Sequence, residues 1–289
     1  MRRVTASNGV VYEYSELLPC PHAFATRIGG VSRLPHTAAL NLGFGRGDPD
    51  GTVLANLALF GEAVGFDAHR VISAEQIHSA KVRRVDKSHV GEGYYCGTTE
   101  PADGYLTTDD GIVLGVRTAD CVPVLLYGQG ERSGACVAAV HAGWRGTLAG
   151  ISAVAVGQMK ALGVAPETIR AAIGPSIGVC CYEVGEEFFH SFAEKLGESV
   201  AAELIRPSGN DGKWHADLKE INRRLLLDAG VLPENVDVSD SCTACLPEVF
   251  FSHRKSGGKR GTMLSVIFLR EKKIACARRG SKRKTGGIK

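Results

Sequence analysis

Nowhere in these 289 residues does an apolar run approach the roughly 18 uninterrupted residues that a membrane span requires. The opening segment MRRVTASNGVVYEYSELL carries two arginines but no apolar stretch behind them, so neither export nor membrane insertion is indicated and the expected location is the cytoplasm. No internal repeat and no low-complexity linker divides the chain before its basic end. The nine cysteines follow no disulfide-framework spacing, and the chain is too long to need disulfide stapling, which points to a reducing compartment. Nine histidines include no His-x-His pair, so the ligand sets of a blue copper centre coupled to a trinuclear cluster are missing.

What is present is ordinary globular composition, 44% hydrophobic and 22% charged, enough apolar residues to bury a sizeable core. The formal charge of +3 hides an asymmetry. From Arg270 to Lys289 there are nine Lys or Arg against the single acid Glu271, leaving 25 basic and 30 acidic residues in the body. A mildly acidic body is not a nucleic-acid-binding fold on charge grounds. The charge therefore divides the chain into a body over 1–269, a single domain, and a basic tail over 270–289. Unpatterned charge self-repels, so the tail reads as solvated and disordered, with contact to RNA or anionic lipid as the alternative.

Strand-like runs occur at HAFATR, RVISAEQIH, KVRRVD, GIVLGVRTA, VPVLLYG, ACVAAVHAG, IRAAIGP and MLSVIFLR. Several are apolar throughout, as strands buried on both faces are. Between them VLANLALFGEAVG, AGISAVAVGQMKALG and DLKEINRRLLLDAG carry apolar residues at helical spacing and run into a C-terminal Gly. In the last, Asp217 and Glu220 suit a capping box. Interleaved strands and helices predict an α/β fold, a single layered domain around a mixed β-sheet, with strand order left open.

Three residues stand where strands are expected to end: His78 in AEQIHSA, Cys121 in RTADCVP and His141 in AVHAGWRG. One thiolate and two imidazoles suit Zn²⁺ or a copper ion, and three protein donors leave a coordination position open, as catalytic sites do. Their spacing matches no zinc finger, so from spacing alone the reading as packed core residues leads. Asp120 and Arg117 add opposite charges beside a buried-looking run, which is costly unless they are paired or functional.

The segments TRIGGVS, LNLG, QIHSAKV, ADGYLTT, RTADCVPVLL, HAGWRGT, IGPSIGVCCYEVG and CTACLPEVFFSHR follow one another over nearly the whole chain outside the tail. In order and wording they resemble the laccase-domain family, whose members are called YfiH-like, polyphenol oxidase or purine nucleoside phosphorylase of the laccase-domain type. The resemblance implies a YfiH-like single α/β domain and a metal held by His78, Cys121 and His141. It implies phosphorolysis of adenosine, inosine and methylthioadenosine, with purine nucleosides and inorganic phosphate as partners, together with adenosine deamination. Some members are linked to polyphenol oxidation or to the editing of cell-wall precursors. Ser176 and Ser79 depart from the family wording, which commonly has Cys and Gly there. Cys245 gives CTAC a Cys-x-x-Cys look, with only the adjacent Cys180 and Cys181 as a second pair, and these four read as packing thiols, with a structural zinc as the alternative.

A single ion with an open position fits water activation, the step by which zinc deaminases attack an adenine ring. Those enzymes use a nearby carboxylate, for which Asp120 is the candidate in sequence, although a strand neighbour of Cys121 is expected to face away from it. Phosphorolysis instead needs planar, permanently charged donors for phosphate, and Arg27, Arg145 and Arg254 lie in three separate motifs flanked by Gly or Ser. Each has the alternative of anchoring the fold, as Trp144 has of capping the core rather than stacking on a purine. Two rival readings remain. One is a cysteine amide hydrolase with Cys121 as nucleophile and His141 or His78 as base, and the other a non-catalytic module with a structural metal.

Overall fold

The computed structural model describes residues 1–271, so the expectations for the basic tail lie almost wholly outside the described residues. The strands are β1 (Arg2–Thr5), β2 (Val11–Tyr14), β3 (His22–Ala25), β4 (Val71–Ile72), β5 (Val82–Arg84), β6 (Gly104–Thr107), β7 (Val113–Thr118), β8 (Val122–Gly130), β9 (Gly134–Ala142), β10 (Arg170–Ile173), β11 (Glu183–Gly185), β12 (Ile205–Pro207), β13 (Lys213–Ala216), β14 (Val236–Val238) and β15 (Met263–Phe268). The helices are α1 (Asp50–Val64), α2 (Trp144–Leu148), α3 (Ile151–Ala161), α4 (Glu186–Leu196), α5 (Glu198–Leu204), α6 (Leu218–Asp228) and α7 (His253–Ser256).

The mixed sheet is in fact two. One six-stranded sheet has the order β1-β2-β3-β15-β7-β4, the other β14-β10-β8-β9-β6-β5, and a small third sheet β11-β13-β12 stands apart from both. Both large sheets combine antiparallel with parallel pairs. Side-chain alternation explains the layering. On β9, Cys136, Ala138, Val140 and Ala142 face a core shared with α3 and α6, while Val137 and Ala139 face a core shared with Phe24, Leu114, Val116 and Ile267 of the other sheet. A run that is apolar at every position is thus buried on both faces, one against helices and one against a second sheet. On the far side, α1 covers the first sheet through Val53, Leu57 and Phe60. Where the two sheets meet, Gly174 is required by proximity, since a Cβ there would lie 2.2 Å from the Phe24 ring.

All eight anticipated strand regions contain strands, but RVISAEQIH is strand only at Val71–Ile72. Beyond it the chain leaves the sheet, and the Gln76 side chain takes over the pairing, donating to the Arg117 carbonyl at 2.8 Å and accepting the Arg117 N–H at 2.7 Å. Asp217 caps α6 through the Glu220 N–H, while the Glu220 carboxylate binds Arg223 rather than completing a box.

His22, buried at the start of β3, accepts the Ser15 N–H at Nε2 and meets the Cys20 carbonyl at Nδ1, an arrangement that requires neutral imidazole. Burial lowers its pKa below the usual 6.5, against smaller opposing effects of those two hydrogen bonds and Asp237. The folded state therefore binds fewer protons than the unfolded chain as pH falls below about 6.5, so stability is full above that value and declines towards the folded pKa. Thermal denaturation from pH 7.5 to 5 is expected to show a steeper loss in the wild type than in His22→Gln. Parallel curves would disprove it.

Candidate metal centre

The hairpin β8–β9 explains how two residues 20 apart meet. Its antiparallel register pairs Val122 with Ala142 and Pro123 with His141, so Cys121, just before β8, and His141, near the end of β9, emerge at the same edge. The neighbouring pair β6–β9 sets Gly104 against Val140, which brings Asp103 beside His141. The His141 N–H donates to the Asp103 carbonyl at 2.7 Å, and His141 Nδ1 lies 2.8 Å from Asp103 Oδ1.

His78 arrives on the loop after β4, and Asp103 holds that loop as well. Its carboxylate accepts the N–H groups of Ile77, His78 and Ser79 and the hydroxyl of Ser79. His78 adopts a φ of 57°, uncommon for a residue with a side chain, within this cradle. Ligand atoms of His78, Cys121 and His141 lie within 4.8 Å of one another. With Nδ1 of His141 taken by Asp103, its Nε2 is left to face the other two donors.

The glycines of HAGWRG now have a physical reason. A Cβ on Gly143 would sit 2.5 Å from His78 Nδ1, and one on Gly146 would sit 2.7 Å from the Ser79 carbonyl oxygen. Both allow the His78 loop to pack directly on the turn after β9.

Asp103 is fully buried, which alone raises a carboxyl pKa, yet the His141 and Ser79 hydrogen bonds outweigh this and hold it at about 2. For His141 burial favours the neutral ring, but the Cys121 thiolate and the Asp103 carboxylate prevail and raise it to about 9. Burial lowers His78, and the nearby His141 and Arg145 push it the same way. A divalent cation binds sulfur as thiolate and imidazole as the neutral ring, so its binding at this cluster displaces their protons. Two imidazoles and one thiolate therefore fit a borderline metal ion with a position left open. Sequence reasoning missed Asp103, although ADGYLTT places it immediately before a strand. Asp103→Asn keeps the size and loses the charge, and metal affinity is expected to fall about 10- to 100-fold, read by competition with a chromogenic chelator.

Residues 21–270 match the family model described as multi-copper polyphenol oxidoreductase laccase. The chain belongs to this family. It is 37% identical over 249 residues to a purine nucleoside phosphorylase YlmD of Geobacillus stearothermophilus, covering 85% of this chain and 89% of that protein. It is 33% identical to adenosine deaminase RL5 of an unknown prokaryotic organism, covering 85% and 93%. The crystal structure of YlmD from Geobacillus stearothermophilus superposes with a TM-score of 0.84 at 35% identity, covering 93% of this chain and 99% of that one. The copper in the family description is not matched by a multicopper ligand set here. Among the described residues, histidine and cysteine gather only as His78–Cys121–His141 and as four cysteines, Cys180, Cys181, Cys242 and Cys245.

In this laccase-like chain the three donors border a cavity of about 630 Å³ at the end of the sandwich where β7 stops, β8 begins and β15 starts. Four arginines line it, Arg46, Arg117, Arg254 and Arg260, together with the rings of Phe44 and Tyr182. Arg260 is the most constrained. Burial and the neighbouring Arg46 lower its pKa to about 10, and its buried Nε has no hydrogen-bond partner. A charged N–H left unpaired beside a second guanidinium is stabilised by an incoming anion.

The residues expected at the site separate. Arg254 lines the cavity, with its guanidinium donating to the Glu183 carbonyl at 2.8 Å. Arg27 does not line it, because its N–H groups donate to the carbonyls of Ala38 and Pro247 and its cation lies over Phe251. Arg145 is exposed and stacks on Trp144, which in turn packs on Phe188 and the helix-side core, and neither lines the cavity. Asp120 does line it, but both carboxylate oxygens are engaged, Oδ1 by the Thr243 hydroxyl at 2.6 Å and Oδ2 by the Arg254 N–H at 2.7 Å. Its φ of 90° turns it out of the strand alternation that would have faced it away. No helix among the described residues is long and apolar enough to cross a membrane.

Proposed function

We propose that this chain is a metal-dependent purine nucleoside phosphorylase that converts adenosine, inosine or methylthioadenosine, with phosphate, into the free base and the ribose 1-phosphate or methylthioribose 1-phosphate. Adenosine deamination at the same centre is the accompanying activity. The observation that carries the reading is a three-donor centre on a cavity lined by four arginines, Arg46, Arg117, Arg254 and Arg260, against two acids, Glu75 and Asp120. The names of the relatives agree with it.

His78, Cys121 and His141 would hold the ion, which would supply Lewis acidity at this end of the cavity. Zn²⁺ suits the donor set, with Cu²⁺ as the alternative. The protein's own groups do the rest. Arg260 and Arg46, with Arg117 and Arg254 around them, bind and desolvate phosphate, while Phe44 and Tyr182 offer ring faces to the purine. Held there, an oxygen of hydrogen phosphate bonds to C1′ as the C1′–N9 bond breaks, and the electron pair leaves on the purine, which takes up the proton that the phosphate gives up. Asp103 orients His141 and the His78 loop, and Asp120 positions Arg254 and the loop bearing Thr243.

The test is incubation of metal-loaded protein with adenosine, with and without phosphate, and chromatographic separation of adenine, inosine and hypoxanthine. Phosphate-dependent adenine supports phosphorolysis, inosine supports deamination, and unchanged adenosine refutes both. The Cys121–His141–Asp103 series also has the order of a nucleophile, a base and an orienting carboxylate, which favours an amide hydrolase as second reading. Turnover destroyed by chelation and restored by zinc excludes it, whereas turnover by metal-free protein that iodoacetamide stops establishes it.

A further inference from the structure

The four cysteines outside the cavity do not behave as packing thiols. Cys180 and Cys245 are exposed, Cys181 is half-buried and only Cys242 is buried. They come from two segments more than 60 residues apart, yet their sulfurs all lie within 4.8 Å of one another. Cys245 Sγ is 3.5 Å from that of Cys180 and 3.4 Å from that of Cys181. A disulfide has its sulfurs at about 2.05 Å. Zn–S bonds of about 2.3 Å instead set the edge of a tetrahedron of sulfurs near 3.8 Å, between the 3.4 and 3.5 Å of these two pairs and the 4.8 Å that bounds all four sulfurs.

The backbone is arranged for a thiolate. Gly178 N–H donates to Cys242 Sγ at 3.2 Å, and the N–H groups of Ala244 and Cys245 are directed at the same sulfur. The last two follow from the tight turn of CTAC, in which a Cys-x-x-Cys loop folds its own amides back onto the first sulfur. Gly178 leaves little room for a side chain, since a Cβ there would be 3.2 Å from Cys180 Sγ and from Cys242 Cβ. A bridge between Ser176 and Cys242, with Thr243 N–H donating to the Ser176 carbonyl at 3.0 Å, aligns the two segments.

We propose that Cys180, Cys181, Cys242 and Cys245 bind a second ion, a zinc ion in a closed tetrathiolate site that joins the 174–185 segment to the 239–256 segment. Four thiolates complete the shell, so this ion has no position for substrate and its role is structural. It clamps two segments that already carry parts of the cavity wall. Ile177 and Tyr182 lie on one, Arg254 lies on the other, and Thr243, inside the Cys-x-x-Cys loop, donates to Asp120 next to Cys121. The small β11-β13-β12 sheet starts immediately after Tyr182 and is held at its root by the same clamp.

The test counts zinc in the full chain purified under reducing conditions and measures the zinc X-ray absorption edge. Three forms are compared: wild type, His78→Ala/His141→Ala, and Cys242→Ser/Cys245→Ser. The histidine variant is expected to retain one zinc per chain with a shell of sulfur alone at about 2.3 Å. The cysteine variant is expected to lose that ion. In case either variant fails to fold, thiol alkylation of wild-type protein followed by peptide mass spectrometry gives the same answer, because zinc should protect these four cysteines and a chelator should expose them. Cobalt loading should add the intense sulfur-to-metal absorption of a tetrathiolate. A histidine variant free of zinc, alkylation of the four thiols unaffected by zinc, or a Cys180–Cys245 or Cys181–Cys245 disulfide in the purified protein would each overturn the proposal. None of these readouts depends on nucleoside turnover, so the site stands or falls separately from the activity.

Discussion

Cys121→Ser is expected to remove the ion from the His78–Cys121–His141 centre and to lower nucleoside turnover by roughly 10³-fold or more, the consequence of losing a Lewis acid worth several kcal/mol. The reason is specific to sulfur. A serine hydroxyl stays protonated beside His141 and offers a divalent ion a neutral, weak donor where the thiolate offered charge. The fold should survive, because Cys121 lies just outside β8 and the hydrophobic clusters on both faces of the β8–β9 hairpin do not include it. Metal content, the melting transition and turnover measured together distinguish the outcomes. A variant that keeps both its ion and its rate would show that Cys121 is not a ligand, and one that keeps its ion but loses all rate would favour the nucleophile reading.

Arg260→Ala is expected to raise the KM for phosphate and lower kcat/KM for phosphorolysis roughly ten- to a hundredfold, the range that a charge-assisted hydrogen bond of about 1.5–3 kcal/mol supplies. Formation of inosine from adenosine without phosphate should change little, since that reaction uses no anion. The expectation rests on the unpartnered Nε of Arg260 and on the repulsion from Arg46. Both features favour negative charge in the cavity. Arg260→Lys should recover only part of the loss, because an ammonium cannot make the paired contacts of a planar guanidinium. Equal losses in both reactions would show that Arg260 supports the cavity wall rather than phosphate.

The contrast among the arginines is instructive for sequence reading. Arg27, Arg145 and Arg254 attracted notice because they sit in motif segments, and only Arg254 reaches the cavity. Arg27 is in a motif because it ties the 35–38 turn to Pro247, which is a role in the fold. Arg117 drew notice only as a charge beside a buried-looking run, and Arg46 and Arg260 carry no local signal that separates them from surface charges, since what unites the three is arrival at one end of the sandwich from distant segments. Trp144 likewise sits two residues from a site it does not enter, and the ring faces of the cavity belong to Phe44 and Tyr182.

By itself the sequence determined what local pattern can determine. Uninterrupted apolar runs marked the strands buried on both faces and helical spacing marked α1, α3 and α6, while His78, Cys121 and His141 were singled out by the family wording around them rather than by their spacing. Only the tertiary structure decided which distant groups share a few ångströms: the Asp103 carboxylate under two ligands, the four arginines around one cavity, and the four cysteines drawn to one point. The physical reason is that periodicity reports which face of an element is buried, whereas the burying partner is chosen by sheet register and layer packing. Those are summed over many weak contacts along the whole chain, and no short window contains them.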